Sequence, residues 1–271
     1  MPELPEVETT MRGIKPLIEN SVVGSVKIRQ SQLRWPVTPR LTQQISGEKI
    51  LDVKRRAKYI LLIFRHGTVL IHLGMSGRLR ILPTSQPPKK HDHVDMVLTN
   101  NRVLRFHDPR RFGSVLWVEG DPLSSPQLAH LGLEPLEKVF GGQALFDMAR
   151  GRKVPVKNFI MNSRIVVGVG NIYANESLFR GGILPTRSAG RISLNRYNRL
   201  VAAIREVLKE AIHAGGTTLR DYATVTGEPG YFDQELEVYG REGEPCVRCR
   251  SNIRRTIIGQ RSTYFCPKCQ R

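Results

Sequence analysis

The chain has 271 residues, 40% of them hydrophobic, enough for two domains with cores of their own, which excludes a disordered polypeptide as the starting expectation. Its 42 Lys and Arg against 24 Asp and Glu give a formal charge of +18, so polyanionic partners are expected, nucleic acid before acidic membrane. No run reaches the roughly 18 apolar residues of a membrane span, and no basic stretch followed by an apolar core opens the chain; a cytoplasmic protein is expected, with cysteines that bind metal rather than pair.

The chain begins MPELPEVE. Removal of Met1 ahead of a compact proline leaves Pro2 with a free secondary amine. An α-amino group has a reference pKa of about 7.7 to 8.0 against about 10.4 for lysine, so more of it is unprotonated and able to attack a carbonyl carbon. A secondary amine condenses to a charged iminium, an electron sink suited to elimination chemistry. The alternative is a solvated chain end with a proline at a helix mouth. Apolar Val7, Met11, Ile14, Leu17 and Ile18 recur at spacings of three and four, which predicts a helix over 4–20.

Short β-branched segments follow: VVGSVKI, KYILLIF, TVLIHLG, RLRIL, VDMVLT, RVLRFHD and SVLWVEG, with brief turns between several of them. That pattern predicts a sandwich or barrel. Lys58 stands at the mouth of the YILLIF segment beside Arg55 and Arg56; it either reaches solvent or, with its pKa lowered by cations and an apolar wall, moves protons. Met75 in HLGMSG reads as core or as a side chain at a tight turn. His91 in KKHDHVD lies among basic residues, either as a phosphate donor or without a role. HDPRRFGSV (107 to 115) carries Arg110 and Phe112, a pairing suited to entering stacked bases unless the ring packs inward.

From about 131 the pattern turns helical. LGLEPLEKVFGGQ reads as a connector, ARGRKVPVK contributes Arg152 to the basic character, and VVGVGNIYANESLF (166 to 179) brings a G-x-G-N to a helix start. No Gly-Lys-Ser/Thr follows, so this is no P-loop; the glycines allow close backbone approach to phosphate and Asn171 adds a donor. LVAAIREVLKEAIHAGG (200 to 216) is an amphipathic helix ended by glycine. Cys246, Cys249, Cys266 and Cys269 form C-x2-C-x16-C-x2-C, the spacing of a structural four-thiolate Zn2+ site with no position open to water. Residues 241 to 271 hold eight Lys and Arg and two Glu, so the metal staples a basic tail that offers IIGQRSTYF to phosphate.

Taken together, MPELPEVE, RRAKY, HLGMSG, KHDHVD, DPRRFG, VVGVGNIYANE, GEPGYF and the tail with GQRSTYFC resemble the formamidopyrimidine-DNA glycosylases along essentially the whole chain. The resemblance implies an α+β fold in two domains, an N-terminal β-sandwich with an N-terminal helix and a helix-two-turns-helix domain with a zinc finger, holding DNA in the cleft between them. The expected divisions are 1–130 for the catalytic sandwich, 131–150 for a linker, 151–236 for helix-two-turns-helix and 237–271 for the finger. It implies a bifunctional repair enzyme, glycosylase and AP lyase, acting on oxidised purines and abasic sites in double-stranded DNA, with one structural Zn2+, a monomer associated with the nucleoid. By the same resemblance Pro2 is the nucleophile, Glu3 the acid/base at the sugar, Lys58 the proton donor of β-elimination and Arg261 that of δ-elimination. Met75, Arg110 and Phe112 fill the gap left by the extruded nucleotide, and His91, Arg110, Arg152 and Asn171 contact DNA. Asn162 departs from the aspartate more usual there, a change expected to soften a local cap, and the segment 217 to 232 is where a lid over the base is expected. The competing readings are an endonuclease VIII type enzyme for oxidised pyrimidines and a non-catalytic zinc protein that binds DNA.

Overall fold

Glu3 opens the first helix, α1 (Leu4–Ile18), by a reciprocal cap: its side chain accepts from the Glu6 amide while the Glu6 carboxylate accepts the Glu3 N–H at 2.8 Å. Pro5 falls in the first turn, where a missing amide hydrogen loses no bond. The structure is a computed structural model and describes residues 2–215 and 236–271. The described residues divide into two compact units, 2–129 with 215, and 130–214 with 236–271.

In the first unit the chain runs through β1 (Val23–Ile28), a short helix α2 (Arg40–Ile45), and then β2 (Asp52–Arg56), β3 (Tyr59–Ile63), β4 (Gly67–His72), β5 (Arg78–Pro83), β6 (Asp92–Leu98), β7 (Arg102–His107) and β8 (Ser114–Glu119). Two four-stranded antiparallel sheets result, in the orders β1-β6-β7-β5 and β2-β3-β4-β8. Alternate residues of both sheets, Val26, Met96 and Leu104 from one and Val53, Ile60 and Val69 from the other, meet in a single core. Val7, Ile14 and Ile18 of α1 and Leu41 and Ile45 of α2 close it. The expected sandwich is therefore present, with two elements added. Strand β2 escapes a period-2 reading because DVKRR is an edge strand, charged wherever it faces out, with only Val53 buried. Helix α2 buries just two residues in six, too few to show a period.

The opposite face of the first sheet buries charge beside the apolar Leu82, Val97 and Val103. Arg105 grips Asp95 with two bonds of 2.8 and 2.9 Å, while Asp92 accepts from Arg80 at 2.6 Å and pairs with His107 Nδ1 at 2.7 Å. Burial pushes both carboxyls up, yet the cations and donors around them hold each below its usual range.

The second unit comprises α3 (Gly142–Ala149), α4 (Val156–Met161), α5 (Asn171–Arg180) and α6 (Leu194–His213), followed by the hairpin β9 (Arg254–Ile258) and β10 (Arg261–Phe265). Helices α3 and α5 pack on α6. The stretch 131–150, expected as a linker, thus contains α3. Helix α6 starts six residues before the expected position because its first turns are polar apart from Leu194 and the fully buried Tyr197. Asn162 ends α4, and its Oδ1 accepts the Arg164 N–H at 3.0 Å, so asparagine serves the local turn. No described helix is long and apolar enough to cross a membrane.

Candidate active site and nucleic-acid interface

Pro2 and Glu3 are buried at the mouth of α1, with Glu3 only 3% exposed. The capping box fixes the Glu3 backbone in an extended conformation and leaves its carboxylate at the positive end of the helix. Lys58 sits in the two-residue turn between β2 and β3, whose other member, Ala57, has φ +55°. That left-handed residue is held from outside the turn: Arg55 donates to the Ala57 carbonyl at 2.9 Å and to Glu8 of α1 at 2.6 Å. Burial would raise the Glu8 carboxyl, but Arg55 and Arg12 hold it below the ordinary range. The Lys58 turn is in this way tied to the same helix that presents Pro2 and Glu3. Neither Glu8 nor Arg55 stands out in the sequence as a functional residue, since they are 47 positions apart.

Met75 and Phe112 are 38% and 47% exposed, so neither is core, and the reading of each as an inward-packed side chain is excluded. Arg110 is exposed too, with its guanidinium 5.0 Å from the centre of the Phe112 ring. His91 is half-buried, edge-on to the rings of His93 and His107 at 6.2 and 6.0 Å, above the buried Asp92. The loop bearing Met75 begins at His72, whose Nδ1 accepts the Gly74 N–H at 2.9 Å and whose ring meets Tyr59. Burial, with the Arg34 and Lys58 cations nearby, lowers the His72 pKa to about 4. The unfolded chain binds this proton near 6.5 and the native state only near 4, so stability falls as pH drops through that window, by up to about 3 kcal/mol. Replacing His72 by Asn, which keeps an acceptor for Gly74, is expected to flatten the unfolding free energy between pH 4 and 6.5. An unaltered slope in urea titrations across that range would refute the assignment.

In the second unit the hairpin β9–β10 turns through Gly259 and Gln260, both at positive φ, and presents the exposed Arg261 immediately after the turn. The hairpin is anchored from below. Lys157 of α4, fully buried, donates to the Ser262 carbonyl at 3.0 Å and to Thr263 Oγ1 at 2.6 Å. Asn171, the first residue of α5, donates to the same carbonyl at 3.1 Å, so the residue expected to contact phosphate also seats the hairpin. Arg152 is exposed just after α3, and its Nε donates to the Met148 carbonyl at 2.6 Å, capping that helix. Glu176 of α5 accepts three consecutive amides, Glu237, Val238 and Tyr239, at 2.9, 3.1 and 2.8 Å, and burial pushes its carboxyl up. Lys157 and Glu176 are unmarked in the sequence; an unusual charge inside an otherwise apolar helical face is the one signal that reveals them.

The ligand atoms of Cys246, Cys249, Cys266 and Cys269 lie within 4.8 Å of one another. Sulfur separations of 3.9 Å for Cys246–Cys269 and 3.4 Å for Cys249–Cys266 are far beyond the about 2.05 Å of a disulfide and suit the edges of a tetrahedron of thiolates. The Arg248 and Cys269 amides point at the Cys246 and Cys266 sulfurs, each at 3.4 Å, the outer-shell donors that stabilise thiolate. The four side chains fit one structural Zn2+.

One unit carries a proline and a buried carboxylate at the entrance of its first helix, and the other carries a four-thiolate knuckle that fits a structural zinc. Three family descriptions match in chain order: the formamidopyrimidine-DNA glycosylase N-terminal domain over residues 1–115, its H2TH domain over 131–223, and the zinc finger found in FPG and IleRS over 243–271. The chain belongs to the formamidopyrimidine-DNA glycosylase family. It is 58% identical over 271 residues to the formamidopyrimidine-DNA glycosylase of Syntrophotalea carbinolica, with 100% of both chains covered. Among solved structures it is similar to Lactococcus lactis Fpg in complex with DNA containing an abasic site, at 30% identity, 99% coverage of each chain and a TM-score of 0.91. A Lactococcus lactis FPG mutant bound to Fapy-dG containing DNA is similar at 30% identity over 100% of both chains, with a TM-score of 0.92.

Proposed function

We propose that this chain excises oxidised purines, 8-oxoguanine and formamidopyrimidines, from duplex DNA and then cleaves the abasic strand by β,δ-elimination. The observation that carries the reading is the entrance of α1, where a proline able to form an iminium is followed by a buried, conformationally fixed Glu3. The Pro2 nitrogen attacks C1′ of the deoxyribose as the C1′–N bond to the base breaks. Glu3 protonates the ring oxygen as the C1′–O4′ bond opens, leaving a protonated Schiff base. Loss of a proton from C2′ expels the 3′ phosphate, with Lys58 as proton donor; loss of one from C4′ expels the 5′ phosphate, with Arg261 as donor. A one-nucleotide gap remains. Met75, Arg110 and Phe112 occupy the space of the extruded nucleotide, and His91, Arg110, Arg152 and Asn171 contact the DNA. The work divides among a catalytic sandwich (1–130), a DNA-binding helical domain that takes in α3 and so begins near 131 rather than at 151, and the finger (237–271), in a monomer that is cytoplasmic and held at the nucleoid by DNA. The segment 217 to 232, expected as a lid, lies outside the described residues.

Borohydride added during turnover tests the chemistry: a covalent adduct with lesion DNA is expected, and its absence would reduce the protein to a DNA binder. On paired duplexes, 8-oxoguanine opposite cytosine is expected to be released faster than thymine glycol; the opposite ranking would assign the endonuclease VIII type activity. Affinity should fall with salt at a logarithmic slope of about −0.9 per phosphate contacted, and a flat response would contradict the electrostatic account of the +18 charge.

A further inference from the structure

Two loops carry the three side chains proposed to fill the duplex. Met75 stands in the β4–β5 loop, closed by the Gly77 N–H to the Leu73 carbonyl at 2.8 Å, and Arg110 and Phe112 in the β7–β8 loop, closed by the Arg111 N–H to the Asp108 carbonyl at 3.2 Å. Asp108 is completely buried and bonds into both. Its Oδ1 accepts the Ser76 hydroxyl at 2.7 Å and its Oδ2 the Gly113 N–H at 2.8 Å. Ser76 Oγ in turn accepts the Arg110 N–H at 3.3 Å, and the Asp108 carbonyl is bonded to His93 Nε2 at 2.7 Å. The loop backbones also touch: Gly74, at φ +64°, lies where a Cβ would stand 2.4 Å from the Gly113 nitrogen.

We infer that Asp108 and Ser76 are positioning residues that lock the two loops into one rigid wedge, so that Met75, Arg110 and Phe112 enter the base stack together. The inference rests on the reading of those three side chains as the ones that replace the extruded nucleotide. A buried carboxylate shared between two loops resists their separation, because parting them strands an acceptor away from water. A side chain that must hold a base step open gains from being rigid before contact, since less freedom is lost on insertion. Neither residue is among those assigned to the sugar chemistry, Pro2, Glu3, Lys58 and Arg261, so the elimination steps on a site already lacking its base are expected not to depend on the pair.

The test is stopped-flow fluorescence of 2-aminopurine placed beside 8-oxoguanine, run together with single-turnover excision and with strand cleavage at a preformed abasic site. Ser76→Ala is expected to slow unstacking and excision about tenfold, the scale of one lost hydrogen bond to a charged group, while cleavage at the abasic site stays within about twofold. Ser76→Thr, which keeps the hydroxyl, is expected to restore both, and Asp108→Asn to behave as Ser76→Ala does. Unstacking at the native rate in Ser76→Ala and Asp108→Asn, or an equal loss on both substrates, would overturn the inference. Met75→Ala and Phe112→Ala separate it from the reading beneath it. If those two leave unstacking unchanged, the wedge itself is wrong and the inference falls with it; if they slow it and Ser76→Ala does not, the lock alone is wrong.

Discussion

A chain that retains any residue ahead of Pro2 will give no borohydride-trapped adduct with lesion DNA and will lose at least about 10³-fold in strand cleavage, because an acylated nitrogen has no lone pair to offer C1′. An uncleaved N-terminal tag is the cleanest variant, since it leaves every side chain of the protein in place. Pro2→Gly is the informative companion. It keeps a terminal amine, now primary, able to form a neutral imine that must be protonated before it draws electrons, so a slower enzyme that still traps is expected. Intact-mass measurement of each preparation establishes which terminus is present before activity is assayed. Full cleavage by the tagged chain would remove Pro2 from the mechanism and leave the buried Glu3 without a partner in the proposed chemistry.

The parts of the site legible in the sequence are those whose chemistry is local. Pro2 announces itself by its place next to Met1, the four cysteines by their spacing, and the Phe112 loop by an aromatic residue among arginines. The strands of the sandwich are legible wherever one face is apolar, as in YILLI of β3, and vanish where an edge strand such as DVKRR is charged. What holds the site together is written across the chain instead. Glu8 and Arg55 meet over 47 positions, Ser76 and Asp108 over 32, Lys157 and Thr263 over 106, and Glu176 and Val238 over 62. No periodicity links such partners; each is an ordinary charged or polar residue until the fold buries it beside the one group that satisfies it. Asn171 shows the limit from the other side. Its position at a helix start is legible, but its bond to the Ser262 carbonyl is a structural task that only the fold assigns.

Removing the zinc is expected to abolish specific DNA binding, by at least about 100-fold in affinity, while the sandwich stays folded. The finger has almost no core of its own. The cluster that supports it has Phe179, Val238, Cys246, Ile253 and Cys266 buried, with Cys249, Tyr264 and Cys269 packed against them, so four of the eight side chains are themselves thiolate ligands. A structural site of this kind contributes about 10 to 16 kcal/mol of apparent binding free energy, and a segment of some thirty residues that buries little beyond Ile253 and Ile258 has too little apolar burial to replace it. Polar docking offers a competing support, since Lys157, Asn171 and Asn175 bond the β10 strand at Ser262, Thr263 and Tyr264. Those bonds are worth about 1 kcal/mol each when neutral and up to about 3 when charged, and they act only on a hairpin already formed, so they do not substitute for the metal. Both tryptophans, Trp35 and Trp117, lie in the first unit, so their fluorescence reports the sandwich and is blind to the finger. Chelation or Cys266→Ser should therefore leave the tryptophan unfolding curve in place, expose residues 241–271 to protease, and remove the Arg261 hairpin from the DNA. Undiminished binding by protein stripped of its metal would show that the hairpin stands on its hydrogen bonds alone.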